Sequence, residues 1–371
     1  MSKWSFFLNT INFGGAEQYV YEIAKQHLNA NESNTSNIVS KGGVKSDELK
    51  SVRQSIVSLP MIRIGKDSIK ELSWKQQLFL KLFPITKWLY YLLLKNKIKG
   101  SEVIISQHGF PTILADFISK KLRIKHINIV HHVIPNEYTR IYNDFDVKPE
   151  NYVAVSEEVK EYLISSHNIN PADISVIMNP IALSTRCSNS QDKISISMIS
   201  HVHADKKQSV ISFCDLSLNP KYSEYRFNLA GDYNNDVGRE IHEIYHNSVH
   251  FVGPLASKNY EDFICNSKLV VAVGRSAIEP AIRGVPVIIC GHVPGKFGGN
   301  YGGVISKNNL SELSAYNYSG RNSSDCTSTQ LLENSIDEII NSAVEHDDEL
   351  LELLQSKHSP DKVYRQFKDL A

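Results

Sequence analysis

Short apolar runs alternate with helical patterns along the whole chain. Trp4 to Leu8 is aromatic-rich and uncharged, as a buried strand would be, and Val20, Ile23, Ala24 and Leu28 then recur at helical spacing. Further runs of strand character occupy 37–40, 55–59, 102–106, 126–130, 152–155 and 174–178, then 194–199, 225–230, 249–252, 269–273 and 285–290. Strands separated by helices predict βαβ units with parallel sheets, and this many strands suits two doubly wound α/β domains better than one. No internal repeat of fixed period is present.

The seam between the domains is expected within Asn179 to Lys193, where Asn179-Pro180 leads into the polar segment Ser184 to Gln191. Ser319 to Thr329 reads as a surface loop. Gly291 to Gly303 holds six glycines and reads as a flexible or ligand-hugging loop. In the tail, Val363, Tyr364, Phe367 and Leu370 have the spacing of a helix packed on something.

Composition adds mainly exclusions. The 371 residues are 42% hydrophobic and 22% charged, an ordinary globular balance with room for two domains. Forty basic and 40 acidic side chains cancel, so no bulk electrostatic case for nucleic acid exists. The five cysteines, 187, 214, 265, 290 and 326, are odd in number and scattered, with no Cys-x-x-Cys pair. That argues against a disulfide framework or a zinc site and for a reducing, cytoplasmic compartment. The start lacks a basic-then-apolar signal pattern, and no apolar run approaches the ~20 residues that cross a bilayer.

In open α/β sheets ligands bind beyond the carboxyl ends of the strands, so the residues just after the apolar runs are the candidates. Gly14-Gly15 makes a strand-to-helix turn. Glycines there allow positive φ and close approach of a ligand, and the helix N-terminus offers free N–H groups to an anion such as a phosphate; a plain tight turn is the alternative. Gln107-His108-Gly109 and the pair His131 and His132 follow two strands of the same domain. A strand-end histidine can act as general base, bond a sugar hydroxyl or simply finish a strand, and two neighbouring strand ends carrying them point to a cleft.

Lys206, in Ser200 to Lys207, follows the first strand of the second half and suits a phosphate or plain solvation. The stretch Val270 to Ile289 reads as strand, turn, short helix, glycine stop and strand. Ser276 with Glu279 three residues later fits a capping box. The functional alternative sets Arg275 and the helix N-terminus against a diphosphate and Glu279 on ribose hydroxyls. Pro280 is tolerable only near a helix start.

Together these residues resemble the GT-B glycosyltransferases of family 4 across nearly the whole chain. The matching pieces are Gly14-Gly15-Ala16-Glu17, Val153 to Val159 with Ile174 to Pro180, Leu229-Ala230-Gly231-Asp232, Phe251-Val252-Gly253 and Gly274 to Pro286. The resemblance implies two Rossmann-like domains facing a central cleft: 1–181, joined by a C-terminal helix 359–371 that crosses back, and 182–358. It implies a nucleotide diphosphate sugar as donor on the second domain, a glycan or lipid-linked acceptor on the first, retention of anomeric configuration, and neither metal nor cofactor.

Carried over, Gly14 and Gly15 lie at the donor phosphates, and His131 or His132 stands near the transferred sugar. Lys206 is the phosphate-binding lysine and Glu279 the ribose-binding glutamate. The donor set is completed by His201, Gly274, Arg275 and Ser276; His108 and Gly109 lie on the acceptor side. The expected catalytic residues are His131, His132, Arg275 and Glu279.

Two departures stand out. His201 occupies the place, five before Lys206, where the family often has arginine. Val271 occupies the place, eight before Glu279, of the family's first glutamate; the Gly-Arg-Ser form seen in some surface-polysaccharide members takes over part of that site. A sugar-nucleotide epimerase of the same fold and a non-catalytic partner subunit are the alternatives.

Trp74 to Lys99 carries six lysines and no acid, interleaved with Trp74, Phe79, Phe83, Trp88, Tyr90 and Tyr91. A peripheral contact with the inner leaflet through 74–99 is expected; a pair of core-packed helices broken at Pro84 is the alternative.

Overall fold

The computed structural model describes residues 2–11, 14–42, 53–62, 73–107, 109–133, 142–182, 185–188, 193–255, 257–291, 300–341 and 347–371. The chain divides into two compact units, Met1–Ala182 with His358–Ala371, and Leu183–Lys357.

The first unit is built on seven parallel strands: β1 (Lys3–Phe7), β2 (Thr35–Ser40), β3 (Gln54–Ser58), β4 (Val103–Gln107), β5 (Lys125–Val130), β6 (Asn151–Ala154) and β7 (Ile174–Val176). Their order, β3-β2-β1-β4-β5-β6-β7, starts from the middle and winds outward both ways, the doubly wound arrangement. Central strands such as Val103-Ile104-Ile105 are buried on both faces, which explains why they are continuously apolar rather than alternating. The helices α1 (Gly15–Ala30), α2 (Trp74–Ile98) and α3 (Gly109–Leu122) carry or flank the candidate residues of this unit.

α1 buries Tyr19, Val20, Ile23, Ala24 and Leu28. The last helix, Pro360–Leu370, starts on a Ser359 cap with proline in its first turn and packs on α1. Phe367 meets the edge of Tyr19 at 6.1 Å, and Tyr364 Oη lies 3.5 Å from His27 Nδ1. His358 Nδ1 on the carbonyl of Asn179 and the Ile181 N–H on the carbonyl of His358 tie the returning chain to this unit.

α2 is one continuous helix with Pro84 inside it, not two helices broken there. Pro84 takes an exposed position, so its ring and missing N–H disturb the solvent side rather than the core. A complete capping box of Ser73 and Gln76 starts the helix.

The second unit has six strands, β8 (Ser195–Ile199), β9 (Arg226–Ala230), β10 (Val249–Gly253), β11 (Ser267–Ala272), β12 (Val287–Cys290) and β13 (Tyr301–Val304), in the order β10-β9-β8-β11-β12-β13. All pairings are parallel except β12 with β13. β13 lies in the glycine-rich stretch that reads as loop. Gly302 is required there because a Cβ would come within 2.9 Å of Ile289 and Leu313 side chains, so its glycine serves packing. Of that stretch, 292–299 lie outside the described residues.

Cys187 and Cys265 form a disulfide, contrary to the expectation from the cysteine count. An odd total excludes complete pairing but not one pair, and residues 78 apart in sequence give no local signal. The bond removes the support that cysteine usage lent to a reducing compartment. Cys214 and Cys290 are buried free thiols, and burial pushes Cys290 up to about 12.

Candidate functional site

In the first unit the turn before α1 has extended backbone at Gly14, with φ −120°, and neither Gly14 nor Gly15 uses positive φ. The two glycines serve different ends. A Cβ on Gly14 would stand 2.1 Å from Glu17 Oε2, because the Glu17 carboxylate folds back over the start of its helix, where Thr10 Oγ1 donates to it at 3.0 Å. A carboxylate near a helix N-terminus is electrostatically favoured, so Glu17 occupies ground an anion would want. Gly15 has nothing within 4 Å of where its Cβ would be, leaving that backbone open to close approach.

At the end of β5, His131 and His132 are both half-buried. The Tyr19 ring meets His131 edge to face at 5.1 Å, and Tyr19 is itself fixed by donating to the carbonyl of Ile177 at 2.8 Å. His131 is thus braced by α1. Gly109 opens α3 with φ 60° and donates its N–H to Tyr142 Oη at 2.8 Å. His108 lies outside the described residues.

In the second unit, His201 and Lys206 flank the short turn between β8 and the next helix. The Asp232 N–H donates to His201 Nδ1 at 3.2 Å, which leaves the proton of a neutral ring on Nε2. Partial desolvation, then the neighbouring Lys206 and His203, hold the His201 pKa below the ordinary imidazole range. This position therefore lacks the fixed charge an arginine would bring. Lys206 is half-buried at the start of the helix Lys207–Leu216, while its neighbour Lys207 is committed to both Glu240 carboxylate oxygens at 2.8 and 2.9 Å. Gly231, with φ 141°, presses against the Ser200 carbonyl so closely that a Cβ would sit 2.0 Å from its oxygen.

β11 passes to the helix Arg275–Ile282 through Val273 and Gly274 alone. Gly274 has φ 60° and caps the helix with backbone only. The capping box of Ser276 and Glu279 is not formed, because the helix begins two residues earlier than that motif requires, with Gly274 rather than Ser276 at the cap. Glu279 instead accepts from Arg275 Nε at 2.7 Å, one turn back on the same helix. The two side chains are only 13% and 16% exposed.

Tyr260, on the helix Ser257–Cys265, also donates to Glu279; burial, and then that carboxylate, raise its phenol well above the usual range. Arg283 supports the same turn from below, bonding the Glu279 carbonyl at 2.9 Å and Glu261 at 3.1 Å. The Gly274 N–H donates to the carbonyl of Tyr318, which with Asn317 holds a left-handed conformation, φ 53° and 52°. Non-glycine residues there store about 1–3 kcal/mol each and persist only where their surroundings impose them. Tyr260 and Tyr318 carry no local sequence signal, since each reaches the helix Arg275–Ile282 through tertiary packing; Arg283, four residues after Glu279, was within local reach.

The missing acid has a physical reason. Val271 is the fifth residue of β11, paired with Met198 and Ile288 and fully buried. With only Val273 and Gly274 between strand and helix, no loop exists there to carry a carboxylate.

Residues 13–185 match the sequence profile described as Glycosyltransferase Family 4. The whole chain has the fold of a glycosyltransferase from Rickettsia africae, with a TM-score of 0.68 and 15% identity over 100% of this chain and 97% of that one. Anabaena Alr3699/HepE in complex with UDP and glucose matches with a TM-score of 0.68 and 14% identity over 100% and 99%. The chain has the GT-B fold of these glycosyltransferases, and its first half resembles family 4. The two-domain scaffold is shared more distantly with UDP-GlcNAc 2-epimerase from Neisseria meningitidis bound to UDP-GlcNAc, at a TM-score of 0.57 and 13% identity over 100% and 99%. Among curated proteins none matches the chain by sequence.

Proposed function

We propose that this glycosyltransferase moves a sugar from a UDP-sugar, with retention of anomeric configuration, to a cell-surface glycan or lipid-linked acceptor, working from the cytoplasm at the inner face of the plasma membrane. The observation that carries the reading is the abrupt β11 turn, Gly274 to Ser276, with the Arg275–Glu279 pair at the start of its helix. HepE, of the same fold, is seen with UDP and glucose, which supports uridine as the base.

In this reading Lys206, Arg275, Ser276 and the Gly274 turn receive the diphosphate and Glu279 bonds the ribose, while Gly15 leaves backbone of the first unit open to a ligand. His201 donates Nε2–H to a phosphate oxygen. Of the two histidines, His131, braced by Tyr19, stands at the transferred sugar, and Gly109 lies on the acceptor side. The acceptor hydroxyl adds to the anomeric carbon on the face from which the diphosphate departs, as the bond from that carbon to the phosphate oxygen breaks and the hydroxyl proton passes to the departing oxygen. The charge left on that group is stabilised by cations and backbone amides aimed at it, the main catalytic device of such a site.

The epimerase reading needs an acid/base pair at the sugar. Residues 269–274 contain no acid, and the family's first acidic position is buried in β11, which counts against it. The test is thermal stabilisation of the purified protein by UDP and UDP-sugars beside other nucleotides. A rise with uridine compounds, lost in Lys206→Ala and in a folded Glu279→Ala, is expected; no rise with any nucleotide would move the assignment to a non-catalytic partner.

A further inference from the structure

α2 is apolar on two opposite faces. The inner one buries Phe83, Tyr90, Leu94 and Ile98, with Phe83 stacked edge-on against Phe110 and Phe145 at 4.9 and 5.5 Å. On the outer one Leu78, Leu82, Ile85, Leu89 and Leu92 recur at one-face spacing and are 45–73% exposed. Of the twelve exposed large hydrophobic residues among the described residues, eight lie on this helix. Scattered exposed leucines need no explanation, but a contiguous stripe of them does.

Charge identifies what covers it. All six charged residues of Trp74 to Lys99 are lysines, in a chain whose net charge is zero. Lys75, Lys81 and Lys99 are exposed, and on neighbouring α3 Lys121 adds its ammonium over the Trp88 ring at 4.7 Å. A second copy docked through this face would set two such lysine groups together with no acid on either helix to pair them. An anionic bilayer supplies both things the face lacks, acyl chains for the leucines and phosphates for the lysines. Among the described residues no helix is long and apolar enough to cross a membrane, so the fit is to the interface.

We propose that α2 lies flat in the interface of an anionic lipid bilayer, with Ile85, Leu89 and Leu92 among the upper acyl segments and Lys75, Lys81 and Lys99 reaching lipid phosphates. This rests on the transferase reading and deepens it, since the acceptor would then be met at a leaflet. The long lysine stems permit it, because their ammonium groups can rise to the headgroups while the apolar row stays down.

The experiment uses the full chain with vesicles of phosphatidylcholine alone or mixed equally with phosphatidylglycerol. Binding is read by co-sedimentation and by the fluorescence of Trp74 and Trp88, which are 69% and 48% exposed on α2. Binding to the mixed vesicles, weakened by salt and accompanied by a blue shift, is expected. Each of Lys81→Gln and Lys99→Gln should lower partitioning roughly fivefold, and Ile85→Glu with Leu89→Glu more than about tenfold.

No binding to the mixed vesicles, or unchanged binding by the double glutamate variant, would overturn the proposal. So would a solution dimer that the double variant disperses, which would assign the face to a second copy. Nucleotide stabilisation without vesicle binding removes the docking surface and leaves the transferase reading standing; vesicle binding without nucleotide stabilisation does the reverse.

Discussion

Arg275 Nε and Glu279 Oε1 are 2.7 Å apart, one helical turn from each other. The pair is organised by its own helix and by Tyr260, so Glu279 has a structural role beside the binding role proposed for it. The two can be separated. Glu279→Gln keeps an acceptor for Arg275 and Tyr260 and should hold the melting temperature near wild type. Glu279→Ala should cost between the ~1 kcal/mol of an exposed pair and the ~3 kcal/mol of a buried one. Both should lose most of the UDP-induced rise in melting temperature. A full rise in Glu279→Ala would mean that the carboxylate only braces Arg275.

In the proposed donor site His201 should bring a pH dependence that arginine would not. Its pKa is depressed in the free protein, by partial desolvation and by Lys206 and His203, so the ring is neutral at pH 7. A diphosphate bound beside it would favour the charged ring and raise that pKa, so binding tightens as pH falls from the raised, ligand-bound value towards the depressed free-state one and levels off below the latter. Titrating UDP-sugar affinity between neutral and mildly acidic pH should show this tightening in the wild type and a flat profile in His201→Ala. His201→Arg should bind more tightly at pH 7 and be equally flat.

The disulfide makes a distinct claim about the second unit. Cys187–Cys265 closes a loop 78 residues apart in sequence, and a cross-link of that span stabilises by up to about 4 kcal/mol. Protein unfolded without reductant should therefore expose three reactive thiols, Cys214, Cys290 and Cys326, and five after reduction. Reduction, or Cys187→Ser, should lower the melting temperature. Five thiols without reductant would remove the bond.

The sequence predicted many strands well because central strands such as β4 and β11 carry apolar runs, Val103 to Ile105 and Leu269 to Ala272, and such runs need no partner to be read. It predicted poorly wherever a residue's reason lies across the fold. Gly302 looks like loop punctuation until Ile289 and Leu313 close over it. Ser276 and Glu279 match a capping box, but the motif depends on where the helix starts, and Gly274 starts it earlier. The Arg275–Glu279 spacing was readable as an i to i+4 pair; Tyr260, nineteen positions before Glu279, was not. Val271 was visible as a departure from the family, yet only its pairing with Met198 and Ile288 explains it.

The acid stability of the first unit should depend on Asp116, a buried group outside the candidate site. Burial alone would raise its pKa, but His126 Nδ1 at 3.7 Å, Lys120 Nζ at 2.8 Å and the Lys148 N–H at 2.9 Å outweigh that and hold it below the usual value. A carboxylate whose folded pKa is depressed contributes stability that is fully present above its unfolded pKa of about 3.9 and is lost as pH falls through the lower folded value. Asp116→Asn keeps the shape and one acceptor but cannot carry the charge. It should lower stability at pH 7 by about 1–3 kcal/mol and flatten the loss of stability between neutral pH and the acid limb, measured by urea unfolding at a series of pH values. On the opposite edge of the His126 ring, Nε2 lies 2.8 Å from Ser106 Oγ, so Ser106→Ala should also destabilise. It should leave the acid dependence as steep as in the wild type, because no titrating group is removed. A variant Asp116→Asn with an unchanged acid limb would show that the charge of this carboxylate is not what low pH takes away.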